Sequence, residues 1–382
     1  MTTIGLAQIL AWGGSYYLIA VLARPIVADT GWPFGWVVGG LSLGFLATGL
    51  ASPRVGRLID RHGGRPVLAA SALLLAGGLL ILAAAPALPV YMLAWIIIGI
   101  GMAAGLYNPA FATLGRLYGN EARHPITLTT LFGGFASTVC WPLSAFLVTH
   151  TGWRGTCLAY AAINVAVVFP LYWFGVPRED RVAPAAAAQH GGTPDSEPRL
   201  RIAWWLLAGN LTLASVFMTV VSVHMLTLLQ ARGLAMAAAV GLGALIGPSQ
   251  VGARVIEMAL ARRRYHPVWT LIVSTLLAAL GLALMFGDET LIAAGLVLYG
   301  AGAGINSIAR GTVPLALFGR DGYATLMGRL ARPLMLAQAA SPTLGALLMS
   351  ATGPEGTLYV LTAGAAINVL TALPLAAFTR KA

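Results

Sequence analysis

The sequence predicts an all-α polytopic membrane protein: twelve transmembrane helices in two six-helix, pseudo-symmetric bundles. Three observations carry that expectation. Of the 382 residues, 58% are hydrophobic and only 9% are charged, with a mean hydropathy of +0.81. A soluble chain of this length needs far more charge to cover its surface. Twelve apolar runs in 382 residues leave about 32 residues for each run and its loop, close to one bilayer crossing of about 20 residues plus a connection. The chain also repeats: AAINVAVVFPLYWF at 161–174 matches AAINVLTALPLAAF at 365–378, identical at eight of fourteen positions without a gap.

The runs fall at about 4–28, 34–53, 66–86, 90–115, 125–149, 153–176, 203–229, 236–261, 267–286, 290–313, 322–350 and 356–378. The first lacks a basic flank and is interrupted by Gly13, Gly14, Ser15, Tyr16 and Tyr17, so it reads as a retained helix rather than a cleaved signal. The polar segment 177–201, PREDRVAPAAAAQHGGTPDSEPRLR, reads as a cytoplasmic, disordered linker. It divides the chain into an N-terminal bundle over 1–176 and a C-terminal bundle over 202–382. GWRGT at 152–156 and GPEGT at 353–357 precede the repeated last helix of each half. Parallel repeats of six helices suit a carrier architecture.

Arginine placement gives the orientation. With the N-terminus inside, 16 of the 23 basic residues fall on the cytoplasmic side and only Arg154 and Arg232 outside. That bias puts both termini in the cytoplasm and the chain in the cytoplasmic (inner) membrane. The net charge of +11 is therefore orientation signal spread between apolar runs, not a nucleic-acid-binding domain. Cys140 and Cys157 lie inside apolar runs and read as small buried hydrophobes. Neither a phosphate-cradling loop nor a metal-ligand spacing occurs. The expectation is a protein with no cofactor, no metal and no catalytic centre; its partners are a small molecule, protons and lipid.

GRLIDRHGGR at 56–65 sits between the second and third helices and concentrates four charges, a histidine and three glycines. It resembles the loop 2–3 signature of the major facilitator superfamily, with Gly56, Asp60, Arg61, Gly63 and Arg65 at the motif positions and Gly64 replacing a usual basic residue. The twelve spans, the central linker and GWR at 152–154 fit the same family. The resemblance implies the major facilitator fold, alternating access, a monomer, and a cytoplasmic latch at this motif. The chemistry agrees. Gly56 permits close helix approach, Asp60 suits the positive N-terminal end of the eleventh helix, and Arg61 and Arg65 anchor at the headgroups. The mirror loop ARRRYHP at 261–267 keeps the charge but lacks the Gly and Asp, so the latch is expected on one side only.

Ionisable groups inside a membrane are costly and mark function. In the eighth helix Gly243, Gly247, Gln250, Arg254 and Glu257 follow spacings of 4, 3, 4 and 3 and share one face. A buried guanidinium keeps its proton and needs a partner or an anionic ligand. Glu257, at i+3, can pair with it, and protonating Glu257 would free Arg254 for a carboxylate. This face resembles the monocarboxylate porter branch, in which an acid stands four residues before a key arginine; here that position is Gln250. The branch's basic residue in the first helix has no counterpart, because Arg24 lies too near the outer end. Tyr16, Tyr17, Tyr107, Asn108, Trp141 and Asn306 are further candidates to line a wet central cavity. Arg310, Arg329 and Arg332 read as snorkelling side chains, and His224 as a packing histidine.

The expected function is a secondary active transporter of a small, carboxylate-type organic anion with proton symport. The alternative is a proton-antiport exporter of drugs or metabolites. That branch's glycine-rich ending is missing from GGFASTVCWPLSAF at 133–146, and Trp95 rather than an arginine precedes Gly99 and Gly101. A third class is a non-transporting sensor or assembly factor on a carrier fold, which the polar face of the eighth helix argues against.

Overall fold

The computed structural model of the chain describes residues 2–178, 198–261 and 265–380. Among the described residues every regular element is helical. The spans α1 (Thr2–Thr30), α2 (Phe34–His62), α3 (Gly64–Ala84) and α4 (Leu88–Tyr118) come first. The next helical stretch, Arg123–Gly175, has 53 residues, about 80 Å at 1.5 Å per residue against a hydrocarbon core of about 30 Å. It is broken at Gly152 (φ 69°, ψ 179°) into α5 (123–151) and α6 (153–175). Then follow α7 (Pro198–Ala231), α8 (Met236–Leu260), α9 (Pro267–Leu284) and α10 (Glu289–Phe318). The last stretch, Tyr323–Thr379, is broken at Gly353 (φ 71°, ψ 173°) into α11 (323–352) and α12 (354–379). The described residues thus supply the twelve spans expected. Both breaks fall in the loops that the repeat aligned.

A β-carbon built on Gly152 or Gly353 meets no atom within 4 Å. The glycines are therefore needed for conformation rather than space, in a backbone region that is essentially glycine-only and costs about 1–3 kcal/mol for other residues. Gly152→Ala and Gly353→Ala should each lower the thermal unfolding midpoint in detergent by a comparable amount; an unchanged midpoint would contradict this. Each break is stapled. Trp153 Nε1 donates to Asp29 at 2.9 Å, Arg154 donates to the same carboxylate, and the guanidinium lies over the Trp153 ring. In the second half the polarity is reversed: Glu355 receives Arg232 at 3.3 Å, and Arg232 also donates to the Phe286 carbonyl at 2.5 Å.

The 56–65 signature is not a loop. Residues 56–62 are the last turns of α2, and Gly63 alone (φ 80°) turns the chain into α3. The reason is length: 29 residues span about 44 Å, so the charged end of α2 projects beyond the hydrocarbon core as helix. Most of the 177–201 linker, Arg262, Arg263 and Arg264 of the mirror loop, and Lys381 lie outside the described residues.

The chain forms two compact units, Met1–Gly191 with Arg320–Ala339, and Gly192–Gly319 with Ala340–Ala382. The first half of α11 therefore belongs to the first unit. Glycine sets the helix approaches within each unit. In the first, a β-carbon on Gly99 of α4 would lie 2.3 Å from the Gly44 carbonyl of α2. In the second, one on Gly281 of α9 would lie 2.5 Å from the Gly295 carbonyl of α10. Val221, Leu229, Leu282 and Leu296 are fully buried there.

Candidate functional site

In the second unit α8 is interrupted after Gly243 and resumes at Ile246. Pro248 has no N–H for the Ala244 carbonyl, which favours the break. Beyond it α8 lies directly on α10. β-Carbons on Gly300 and Gly304 would sit 2.9 Å from the Ile246 carbonyl and 2.5 Å from the Gln250 carbonyl. This approach brings Arg254, only 5% exposed, onto α10. Its Nε donates to the Gly304 carbonyl at 3.1 Å and to Ser307 Oγ at 3.3 Å, and its Nη2 donates to Gln250 Oε1 at 3.4 Å. Nη1 is buried and has no hydrogen-bond partner. All three acceptors are neutral, and among the described residues no carboxylate pairs with this guanidinium.

The pairing of Arg254 with Glu257 expected from their i+3 spacing does not form. Glu257, also 5% exposed, turns instead to α9 and the segment before it. Thr270 Oγ1 donates to one carboxylate oxygen at 2.8 Å, and the Tyr265 hydroxyl donates to the other. Two neighbouring elements thus draw the side chains apart: α10 offers carbonyl and hydroxyl acceptors to the cation, and the α9 side offers hydroxyl donors to the anion. Gly243 and Gly247, on the same face, touch nothing that a β-carbon would meet within 4 Å.

The first unit repeats the α8–α10 contact with one change. There Gly99 of α4 packs on the Gly44 carbonyl of α2, and Thr48, four residues after Gly44, donates Oγ1 to the Gly99 carbonyl at 2.8 Å. In the second unit Gly304 packs on the Gln250 carbonyl, and Arg254, four residues after Gln250, donates to the Gly304 carbonyl. Helix order makes these contacts equivalent. A hydroxyl is enough for the packing, and the second half spends a buried charge at the same place.

The other candidates divide. Tyr17, Tyr107 and Trp141 come together around Trp12, which the sequence reading passed over. Trp12 lies 4.9 Å from Tyr107, 5.4 Å from Tyr16 and 6.2 Å from Tyr17 between ring centres, and Tyr17 lies 5.9 Å from Trp141. Asn108 points elsewhere: it lines a cavity with Ser52, Gly56, Met327 and Gly328, and its buried Oδ1 has no hydrogen-bond partner. Asn306 donates to Ser274 Oγ at 3.3 Å, inside a cavity walled by α7, α9, α10 and α12. His224 sits with Nε2 3.3 Å from the Pro342 carbonyl, against Gly345.

At the α2 signature, Asp60 meets the first turn of α11. Its Oδ2 accepts from the Thr325 backbone N–H at 2.8 Å and from Thr325 Oγ1 at 2.5 Å. This caps the orphan donors and positive end of that helix. Arg116 of α4 donates to Asp60 Oδ1 at 3.4 Å and to its backbone carbonyl at 3.3 Å. Gly56 permits the contact, since a β-carbon there would lie 2.4 Å from the Ala324 carbonyl. Arg65 lies over the Trp173 ring at 5.0 Å, and Arg61 is exposed. Thr325 and Arg116 carried no sequence signal beyond the polarity of their segments.

The Gallate transporter of Pseudomonas putida is 32% identical over 152 residues, 39% of this chain and 33% of that protein. Monocarboxylate transporter 11 of Mus musculus is 30% identical over 148 residues, 36% of this chain and 32% of that protein. The chain therefore matches about a third of the length of these curated relatives. The fold is shared with the human organic anion transporter MFSD10 (TETRAN), at a TM-score of 0.75, 18% identity and coverage of 97% of this chain and 98% of that one. It is shared also with the E. coli fucose:proton symporter FucP, at a TM-score of 0.71, 13% identity and 97% coverage of both chains. A profile of the Major Facilitator Superfamily matches residues 4–266, and this multi-pass membrane protein belongs to that family.

Proposed function

We propose that the chain is a secondary active transporter that carries a small organic anion of the carboxylate type by alternating access, with proton symport. The observation that carries this reading is Arg254: a buried guanidinium, held only by neutral acceptors, with its Nη1 amino group making no hydrogen bond. Such a site is electrostatically incomplete and is completed by an anion. A carboxylate matches the planar fork of the guanidinium. The relatives named for gallate and monocarboxylate transport support the same cargo chemistry. Gln250 orients the guanidinium and shares in binding.

Glu257 is the proposed proton-coupling acid. Its two hydroxyl donors hold a carboxylate. Protonation turns one carboxyl oxygen into a donor, so one of those hydroxyls must rotate to accept or withdraw, and proton binding acts on the α8–α9 contact rather than by breaking an Arg254 pair. Gly56, Asp60, Arg61, Gly63 and Arg65 form the proposed gate. The arginine bias supports cytoplasmic termini in the inner membrane, and the chain is proposed to work as a monomer.

The test is uptake of labelled small carboxylates into proteoliposomes, with and without an imposed pH gradient. Gradient-driven uptake is expected; its absence for every carboxylate sinks the reading. Glu257→Gln is expected to remove the response to the gradient while exchange of substrate at equal pH persists. Wild-type gradient dependence in that variant would assign coupling elsewhere.

A further inference from the structure

The aromatic group of the first unit begins with a proline. Pro109 has no N–H, so the Gly105 carbonyl one turn earlier loses its helical donor, and α4 breaks at Leu106 (φ −83°, ψ −159°). Inside a membrane such a carbonyl needs a replacement donor. Gln8 of α1, fully buried, supplies it: Nε2 donates to the Gly105 carbonyl at 2.6 Å. The Tyr172 hydroxyl donates to the same carbonyl at 3.3 Å and receives Gln8 Nε2 at 3.1 Å. The other end of the Gln8 amide is then fixed as an acceptor, and Trp12 Nε1 donates to it at 3.0 Å. The indole plane of Trp12 is thus set by a chain of bonds that starts at a helix break.

Around that fixed ring stand Tyr16, Tyr17, Tyr107 and Trp141. Trp12 meets Tyr16, Tyr16 meets Tyr17, and Tyr17 meets Trp141, each edge to face with centres 4.8–5.9 Å apart. The Tyr107 ring is tilted on Trp12, with its hydroxyl tucked against Gly133. None of the five is fully buried, and Trp141 is 47% exposed. Packing against lipid would be served by Phe or Leu. Five amphipathic rings, one of them oriented by a buried amide, present edges and faces to something that reads ring geometry.

We propose that this cluster of the first unit recognises a planar aromatic ring, and that Gln8 is the positioning residue for Trp12. The inference rests on the carrier reading above and adds the class of the substrate's non-polar part.

The test is equilibrium binding to the purified full chain in detergent, using benzoate, cyclohexanecarboxylate and neutral benzamide as probes. Benzoate and cyclohexanecarboxylate share the carboxylate and the ring size, so their ratio reads planarity and ring quadrupole. The wild-type protein is expected to bind benzoate roughly five- to tenfold more tightly than cyclohexanecarboxylate. Trp12→Leu and Gln8→Leu should bring that ratio close to one without weakening cyclohexanecarboxylate, and Trp12→Phe, which keeps a ring and guards against misfolding, should retain it. A ratio near one in the wild type, or one that survives Trp12→Leu, overturns the proposal. Trp12-dependent binding of benzamide without binding of either acid would keep the ring site and overturn the carboxylate reading instead. Failure of all three probes to bind overturns the ring site.

Discussion

Arg254→Thr is expected to leave a folded protein that no longer binds or moves carboxylates. The first half of the chain supplies the control for this substitution, because Thr48 occupies the equivalent place and satisfies the equivalent glycine carbonyl. Threonine at 254 can therefore make the packing contact to Gly304 that Arg254 Nε makes now. What it cannot supply is charge. A hydrogen bond to a charged group contributes about 1.5–3 kcal/mol, and leaving the anion's charge buried without a partner costs about 3–5 kcal/mol. A loss of roughly 100-fold or more in carboxylate affinity follows, since each 1.4 kcal/mol is tenfold. Arg254→Lys should recover part of the loss, because it restores charge without the planar fork. The measurements are calorimetric affinity and the unfolding midpoint side by side. An intact midpoint with lost binding places Arg254 in the anion's path. A collapsed midpoint with Thr, or unchanged affinity, would make it a packing residue and remove the observation on which the carrier's anion preference rests.

The spans were legible in the sequence because the bilayer fixes their length and makes polar side chains within them costly and therefore rare. Their ends were less so. Hydropathy stops where the apolar run stops, but α2 continues helically to His62. The helical hydrogen bonds continue at the headgroups, where charged side chains are solvated. At the candidate site the costly residue was visible and its partners were not. Arg254 stands out because a membrane arginine is rare, whereas the Gly304 carbonyl it binds is backbone and leaves no mark in composition. The spacing of Gly300 and Gly304 signals a close helix approach, yet it does not say which helix arrives. The Glu257 assignment shows the limit of helical periodicity: i+3 spacing places two side chains on one face but does not decide which neighbouring helix each one meets. Gln8 and Trp12 had a usable signal that went unread. Pro109 inside a membrane helix implies an orphan carbonyl, and a glutamine in the first span is the kind of donor that answers it.

Gly56→Ala should reduce transport at least tenfold, and the effect should exceed that of Asp60→Asn, with Thr325→Ala smaller again. The order follows from what each change disturbs. α2 and the first half of α11 interdigitate through glycines of both helices. A β-carbon on Gly56 would lie 2.4 Å from the Ala324 carbonyl, and one on Gly328 would lie 2.4 Å from the Ser52 carbonyl. Backbone cannot rotate away as a side chain can, so a methyl group at either position displaces the whole helix. Asp60→Asn keeps the shape and removes the charge that faces the helix end. Loss of a capping interaction costs about 0.5–2 kcal/mol, and loss of the favourable charge at the helix terminus costs a further 0.3–1 kcal/mol or so. Thr325→Ala removes only the hydroxyl bond and leaves the 2.8 Å backbone bond to Asp60 in place. Initial rates in proteoliposomes rank the three, and single-cysteine labelling at position 325 in the Gly56 and Asp60 variants reports whether the contact has opened. The alternative is that the signature serves only to anchor the chain by its positive charge, and it predicts no loss for Asp60→Asn. Removing an acid leaves the Lys/Arg bias that sets orientation unchanged, so an anchor would be unharmed. A slower Asp60→Asn carrier with opened labelling at 325 is a result that only a gate explains, because it needs Asp60 to hold α11 and the release of α11 to matter for transport.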